Sequence, residues 1–276
     1  MELERFAFDS PVKVSLFMAH LFRLYLSYKP DSFPFEWLQK TTELEVRCRD
    51  TTGEKITVST SPELLKAIRN CERVNFPNKR GRLPSDWGFS GFMNAAVHQV
   101  LDEVPFTKAN EFSGPLFSKL GAGIIFDLST RIVGVRVLYL RDNHWSCMMR
   151  DWTYDSQQDE NSTDYLLKSE TLAVTSIFCR QMNEMIWNPD RERYKARPRY
   201  KGGLLTATVV TFICGQVRIV QATLNPSETY PTFSYTLRTM YNLNHDNYDK
   251  EAAYDVLKWI LSPPDAPMEL AVREKK

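Results

Sequence analysis

Between Asp164 and Trp187 the apolar residues recur every third or fourth position, and short strand-like segments stand on both sides of this run. Leu166, Leu167, Ala173, Val174, Ile177, Phe178, Met182, Met185 and Ile186 share one helical face, while Lys168, Arg180, Asn183 and Glu184 point elsewhere. Upstream, Ile124 to Leu128, Ile132 to Leu140 and His144 to Thr153 read as three strands. They are separated by the turn residues Ser129-Thr130 and Arg141-Asp142-Asn143. Downstream, Leu204 to Phe212 and Gln216 to Leu224 flank Ile213-Cys214-Gly215, a second tight hairpin. A helix with one apolar stripe must bury it, and strands in this order supply the surface. The pattern predicts an α/β fold of the α+β kind, with a central mixed sheet covered by one long amphipathic helix.

The remaining elements attach to this centre. Asp9-Ser10-Pro11 opens a helix running to about Tyr28, and Lys29-Pro30-Asp31 stops it. Glu43 to Arg49 and Lys55 to Thr60 surround a Gly-containing turn, and Ser61-Pro62-Glu63 starts a helix to about Cys71. Residues 1–72 are therefore expected to form a helix, hairpin and helix appendage. Asn75 to Pro84, with two prolines and with Lys79, Arg80 and Arg82, reads as a linker. The main domain then spans 85–262. It starts with a helix from Gly91 to Val104, capped by Ser90, and adds a strand from Pro231 to Leu243. A final helix capped by Asp249 ends before Ser262-Pro263-Pro264, and 263–276 form a tail.

Bulk properties exclude more than they assign. The 276 residues suffice for a full core, and 43% hydrophobic with 12% aromatic content argues against long disorder. With 35 basic and 34 acidic residues, attraction to a polyanion must come from a local patch and not from the field of the whole molecule. Five cysteines without a C-x-x-C spacing read as free thiols of an intracellular, cytoplasmic protein. The apolar residues 12–26 are interrupted by His20 and Arg23, so neither a signal peptide nor a membrane span is expected. No P-loop, dinucleotide-binding, H-E-x-x-H or zinc-ligand spacing occurs.

Two constellations carry chemistry. Pairing of the three central strands gathers Asp127, Arg131 and Asp151 at one end of the sheet, where carboxylates could hold Mg, or form an ion pair at a hairpin end. No cofactor is otherwise required. The second is Asn188 to Gly203, where Arg191, Arg193, Lys195, Arg197, Arg199 and Lys201 alternate with other residues and Tyr194 and Tyr200 are interleaved. In an extended chain these cations fall on one side, as phosphate contacts require, and the rings can stack on bases.

The order of helix 91–104, three strands, long helix and further strands resembles the αβββαβ core of the PD-(D/E)XK nuclease-like superfamily, in particular nuclease-like proteins of filamentous fungi. The resemblance implies an acid at Asp127 and a helical acid at Glu103. The third strand carries Met148-Met149-Arg150 where that superfamily has its E-x-K, so the chain is not expected to be an active nuclease. Some fungal proteins that look like this family are arginine-containing cyclodipeptide synthases, which use aminoacyl-tRNA. Their Asp-Asp-x-x-Glu motif is absent, and Asp155-Ser156-Gln157-Gln158-Asp159-Glu160 has its composition without its spacing.

Together these readings give a transferase acting on a phosphate-bearing or tRNA-linked substrate. The basic segment holds the anion, and Glu103 and Asp127 serve as general acid or base. The alternative is a non-catalytic scaffold with a protein partner at Trp87, Phe89 and Phe92.

Overall fold

A computed structural model describes residues 7–41, 44–54, 56, 58–75, 88–104, 131–153, 164–191, 193–200, 202–243 and 246–262. The expected strand 124–128, the linker cations, Trp87, Asp127, the acidic 155–160 segment, Lys201 and the tail lie outside the described residues.

The elements in chain order are α1 (Pro11–Ser27), β1 (Ser32–Pro34), α2 (Phe35–Thr41), β2 (Glu45–Asp50), α3 (Pro62–Asn70), α4 (Glu72–Asn75) and α5 (Phe89–Glu103). Next come β3 (Ile132–Arg141), β4 (His144–Asp151), β5 (Tyr165–Leu167) and α6 (Lys168–Met182). After these follow β6 (Asn183–Asn188), β7 (Arg193–Pro198), β8 (Leu205–Ile213), β9 (Gln216–Leu224), β10 (Thr232–Asn242) and α7 (Lys250–Leu261).

Six strands form a mixed sheet in the order β2-β10-β9-β8-β4-β3. β4 and β8 run parallel, as do β10 and β2, and the other neighbours are antiparallel. β8, LTATVVTFI, is buried along its whole length, which suits a β-branched strand covered on both faces. Leu205, Ala207 and Val209 pack with α1 and α6, while Val210 and Phe212 pack with α3, α5 and α7. The result is a sheet between two helical layers. Each fully buried Val, Leu or Phe side chain contributes on the order of 1.5–3 kcal/mol to holding them together.

Local chemistry sets several boundaries. Ser61 Oγ accepts the Leu64 N–H (3.2 Å), and Asp249 Oδ1 accepts that of Glu251 (2.8 Å), so both caps are as expected. Gly215 has φ +75°, the left-handed conformation that a two-residue turn between Ile213 and Gln216 requires. Ser90, by contrast, is buried inside the first turn of α5, and Gly88 holds the capping position.

Three expectations change. The helix expected over 164–187 is shorter, because β5 pairs with β1 before it and β6 pairs with β7 after it. Apolar spacing is compatible with helix throughout, but inter-strand ladder bonds claim both ends. Among the described residues no ladder crosses the Asp50 to Glu54 turn, and β2 pairs instead in parallel with β10, with Val46 beside Phe233 and Cys48 beside Tyr235. The described part of residues 1–72 therefore does not stand apart as an appendage. β2 is an edge strand of the main sheet, and α1 packs on α6.

Candidate functional site

The expected basic segment folds as half of a ribbon. α6 ends at Met182 and the chain passes directly into β6, with Asn183 already extended (φ −130°, ψ 141°). Asn183 is buried there, and its Nδ2 donates to Ser15 Oγ on α1 and to Cys179 O (2.7 Å). A single turn at Pro189–Arg191 reverses the chain into β7. Among the described residues β6 and β7 pair only with each other, from Asn183 opposite Pro198 to Asn188 opposite Arg193.

At the exit the N–H groups of Arg199 (2.8 Å) and Tyr200 (3.3 Å) both reach Met182 O. The Tyr200 hydroxyl donates to Gly203 O and meets Asn225 Oδ1 (3.3 Å) and Ser227 Oγ (3.1 Å), while burial raises its pKa. Both ends of the ribbon are thus tied to the body of the domain.

The register puts positions 193, 195 and 197 on one face, opposite 188, 186 and 184. Arg197 is exposed and donates through Nε (3.2 Å) and Nη2 to Glu184 Oε2. That bond, first, and then the charges of Arg197 and Arg199 hold the Glu184 carboxyl below its usual range. Arg180, in the last turn of α6, is half-buried and feels the Arg199 charge, so a cation that sequence spacing assigned to the helix surface joins the base of the ribbon. Position 194 falls on the opposite face, across from 187. The Tyr200 hydroxyl is already engaged in anchoring. Arg191 lies in the turn.

A second polar cluster occupies the carboxyl ends of β4 and β8. Ile132 pairs with Asp151, and the Trp152 N–H reaches Arg131 O (2.8 Å), so the backbones of Arg131 and Asp151 meet at this end of the sheet, Arg131 exposed and Asp151 buried, while Asp127 lies outside the described residues. Asp151 is fully buried, and this is not a surface ion pair. Its Oδ1 accepts from Thr153 N (2.9 Å) and Thr153 Oγ1 (2.6 Å). Desolvation raises its pKa, with the Ser169 and Thr153 hydroxyls pulling the other way.

Beside it, Arg218 on β9 donates to Glu170 Oε1 (3.0 Å), to Tyr165 O (2.9 Å) and, at the long end, to Glu170 Oε2 (3.4 Å), with both charged side chains fully buried. Glu170 Oε2 also accepts the Leu167 N–H (2.8 Å), so one carboxylate caps α6 and neutralises a buried guanidinium. Sequence reading missed this pair, whose partners are 48 residues apart.

Glu103 and the described rings of the proposed partner patch, Phe89 and Phe92, do not join the ribbon. Glu103 is exposed in the last turn of α5, in the helical layer opposite α6. Met148 is fully buried in that layer's core, and Met149 in the other. Phe89 is buried and Phe92 half-buried against Tyr248, so these rings serve the core. Among the described residues no three His, Cys, Asp or Glu side chains gather as a metal site, and no helix is long and apolar enough to cross a membrane. Comparisons with family models, with curated proteins and with solved structures find no match for this chain.

Proposed function

We propose that this protein recognises a phosphate-rich ligand, with RNA of the tRNA kind as the first candidate, along the basic face of the β6–β7 ribbon. The observation that carries this is the register, which puts Arg193, Lys195 and Arg197 at alternate positions of one strand, with Arg199 following at its base. Alternate residues of a strand stand about 7 Å apart, a repeat that lets successive cations meet successive phosphates of an extended backbone. The two-stranded ribbon lies outside the main sheet, and a chain of net charge +1 gains no solubility from concentrating cations there.

The ribbon serves the binding step. In a transferase the anchored substrate would be presented to an acid or base; the resemblance assigns that role to Asp127 and Glu103, of which Glu103 stands in the helical layer away from the ribbon.

Fluorescence anisotropy with a short labelled RNA, repeated over a salt series, tests it. Affinity should fall linearly in log–log form with salt. An Arg193→Ala/Arg197→Ala/Arg199→Ala variant should bind at least tenfold more weakly, with a slope shallower by about 2, as expected for three lost contacts to single-stranded phosphates. Binding that ignores salt, or that survives the triple substitution, would remove the ribbon as the recognition surface.

A further inference from the structure

On the other side of the sheet, α5 buries Phe89, Met93, Ala96, Val97 and Val100, and this fixes Asn94, His98 and Asp102 at intervals of four along its flank. Opposite them is Arg136 on β3, the edge strand, immediately after a register shift between Gly134 and Arg136. An irregularity of this kind bends a strand and re-aims the side chain beside it. Arg136 Nε donates to Asn94 Oδ1 (2.7 Å), and Nη2 meets His98 Nε2. A guanidinium only donates, so His98 Nε2 must accept, and the imidazole is neutral with its proton on Nδ1.

This arrangement is electrostatically incomplete. Arg136 is half-buried, and burial lowers its pKa, yet both of its partners are uncharged. A partly desolvated charge ordinarily finds a counter-charge, and here none of the described residues provides one. The Nη1 edge of the fork has no hydrogen-bond partner among the described residues.

A second arginine shares the setting. Arg150 on β4 falls on the same sheet face, two positions beyond Met148, the residue opposite Arg136. Its Nε is buried without a partner, and its Cζ lies 3.7 Å over the Trp152 ring. Two cations without carboxylates, together with an imidazole able to become a third, are what a doubly charged anion needs.

We propose that Arg136, positioned by Asn94 and His98 and supported by Arg150, binds a tetrahedral dianion of the phosphate class, free or as a monoester. The neutral His98 makes the site responsive to pH. Its pKa is lowered by desolvation and then by Arg136, while Asp102 on the same helix acts in the opposite direction. α4, which carries Glu72 and Arg73, meets this helix through Gln99, which accepts from the Arg73 N–H (3.3 Å) and the Cys71 thiol (3.4 Å), and the charges acting on His98 are those of Arg136 and Asp102. A bound dianion offsets Arg136 and draws a proton onto His98, whose Nε2–H then donates to the anion. Affinity for a dianion of fixed charge therefore rises as pH falls through the His98 transition.

Imidazole-detected NMR of the whole protein tests this directly. Inorganic phosphate and sulfate, at matched ionic strength, should shift the His98 resonances saturably. Acetate should not, and sulfate should raise the His98 pKa. Arg136→Gln should abolish the saturable shift, Arg136→Lys, which keeps the charge and loses the fork, should weaken it several-fold, and Arg150→Gln should weaken it less. Glycerol phosphate binding at least as tightly as inorganic phosphate assigns the site to monoesters, and weaker binding assigns it to the free ion. The proposal is overturned if His98 does not respond, if acetate shifts it equally, or if the Arg136→Lys protein responds as the wild type does. Because the wild-type titrations decide the matter alone, a variant that fails to fold leaves the test intact. Loss of RNA binding at the ribbon would leave this site untouched, so the two readings fail separately.

Discussion

His144 shows how one buried side chain sets the acid stability of this fold. Its ring is packed on the sheet with Nε2 3.0 Å from Thr208 Oγ1, and desolvation, with Arg141 adding, pushes its pKa down to about 3. In the unfolded chain the same ring takes up a proton near pH 6.5, as an ordinary imidazole does. The unfolded state therefore binds the proton first, and stability falls as pH drops from about 6.5 towards 3, by at most about 5 kcal/mol in all. Asp151 acts in the opposite sense. Its raised pKa means that its contribution is lost as pH rises through the carboxylate range. Urea unfolding of wild type and His144→Gln at neutral and mildly acid pH separates the two effects. The wild type should lose stability faster on acidification, and parallel pH profiles would show that His144 is not the group responsible.

The Glu170–Arg218 pair makes a second residue-scale prediction. Breaking a buried pair from one side costs about 3–5 kcal/mol, because the surviving charge stays buried without its counter-charge. Glu170→Leu alone should therefore be strongly destabilising. Glu170→Leu with Arg218→Met should recover much of the loss, leaving mainly the missing cap on the Leu167 N–H. A double-mutant cycle read by chemical denaturation checks this, and additive losses would show the two side chains to be energetically independent.

At the scale of elements, the ribbon explains why alternation of cations could be read before the structure while its consequence could not. A period of two is the strand period, so Arg193, Lys195 and Arg197 belong on one face whatever they pair with. What they pair with is β6, and that placed Glu184 opposite Arg197. The carboxylate occupies one of the cations offered to a ligand. Replacing it in Glu184→Gln is expected to raise RNA affinity several-fold and to steepen the salt dependence by up to one phosphate contact, read in the same anisotropy series. Unchanged affinity would indicate that Arg197 does not touch the ligand.

At the scale of the whole molecule, β2 and α1 bind the N-terminal elements into the core. β2 covers the edge of β10, and Val14, Met18, Leu21 and Tyr25 of α1 are fully or almost fully buried. A truncated chain beginning at residue 72 should expose that edge and the outer side of α6, and should not fold cooperatively. Circular dichroism and limited proteolysis would reveal this, and a sharp thermal transition in the fragment would restore an independent 85–262 domain.

The sequence by itself determined those features whose cause is local. These are the caps at Ser61 and Asp249, the Cys214-Gly215 turn, the β3–β4 and β8–β9 hairpins, and the strand period of the basic segment. Each depends on residues a few positions apart, so spacing alone contains the information. Tertiary structure decided the rest. Parallel pairing of β2 with β10 joins strands separated by about two thirds of the chain, and β1 and β7 shorten the long helix by offering its ends ladder bonds that no helical period can register. The same holds for chemistry. Glu170 with Arg218, and Arg136 with Asn94 and His98, are meetings across 38 to 48 residues of chain. Burial changes the charge balance of such groups only after the layers close over them.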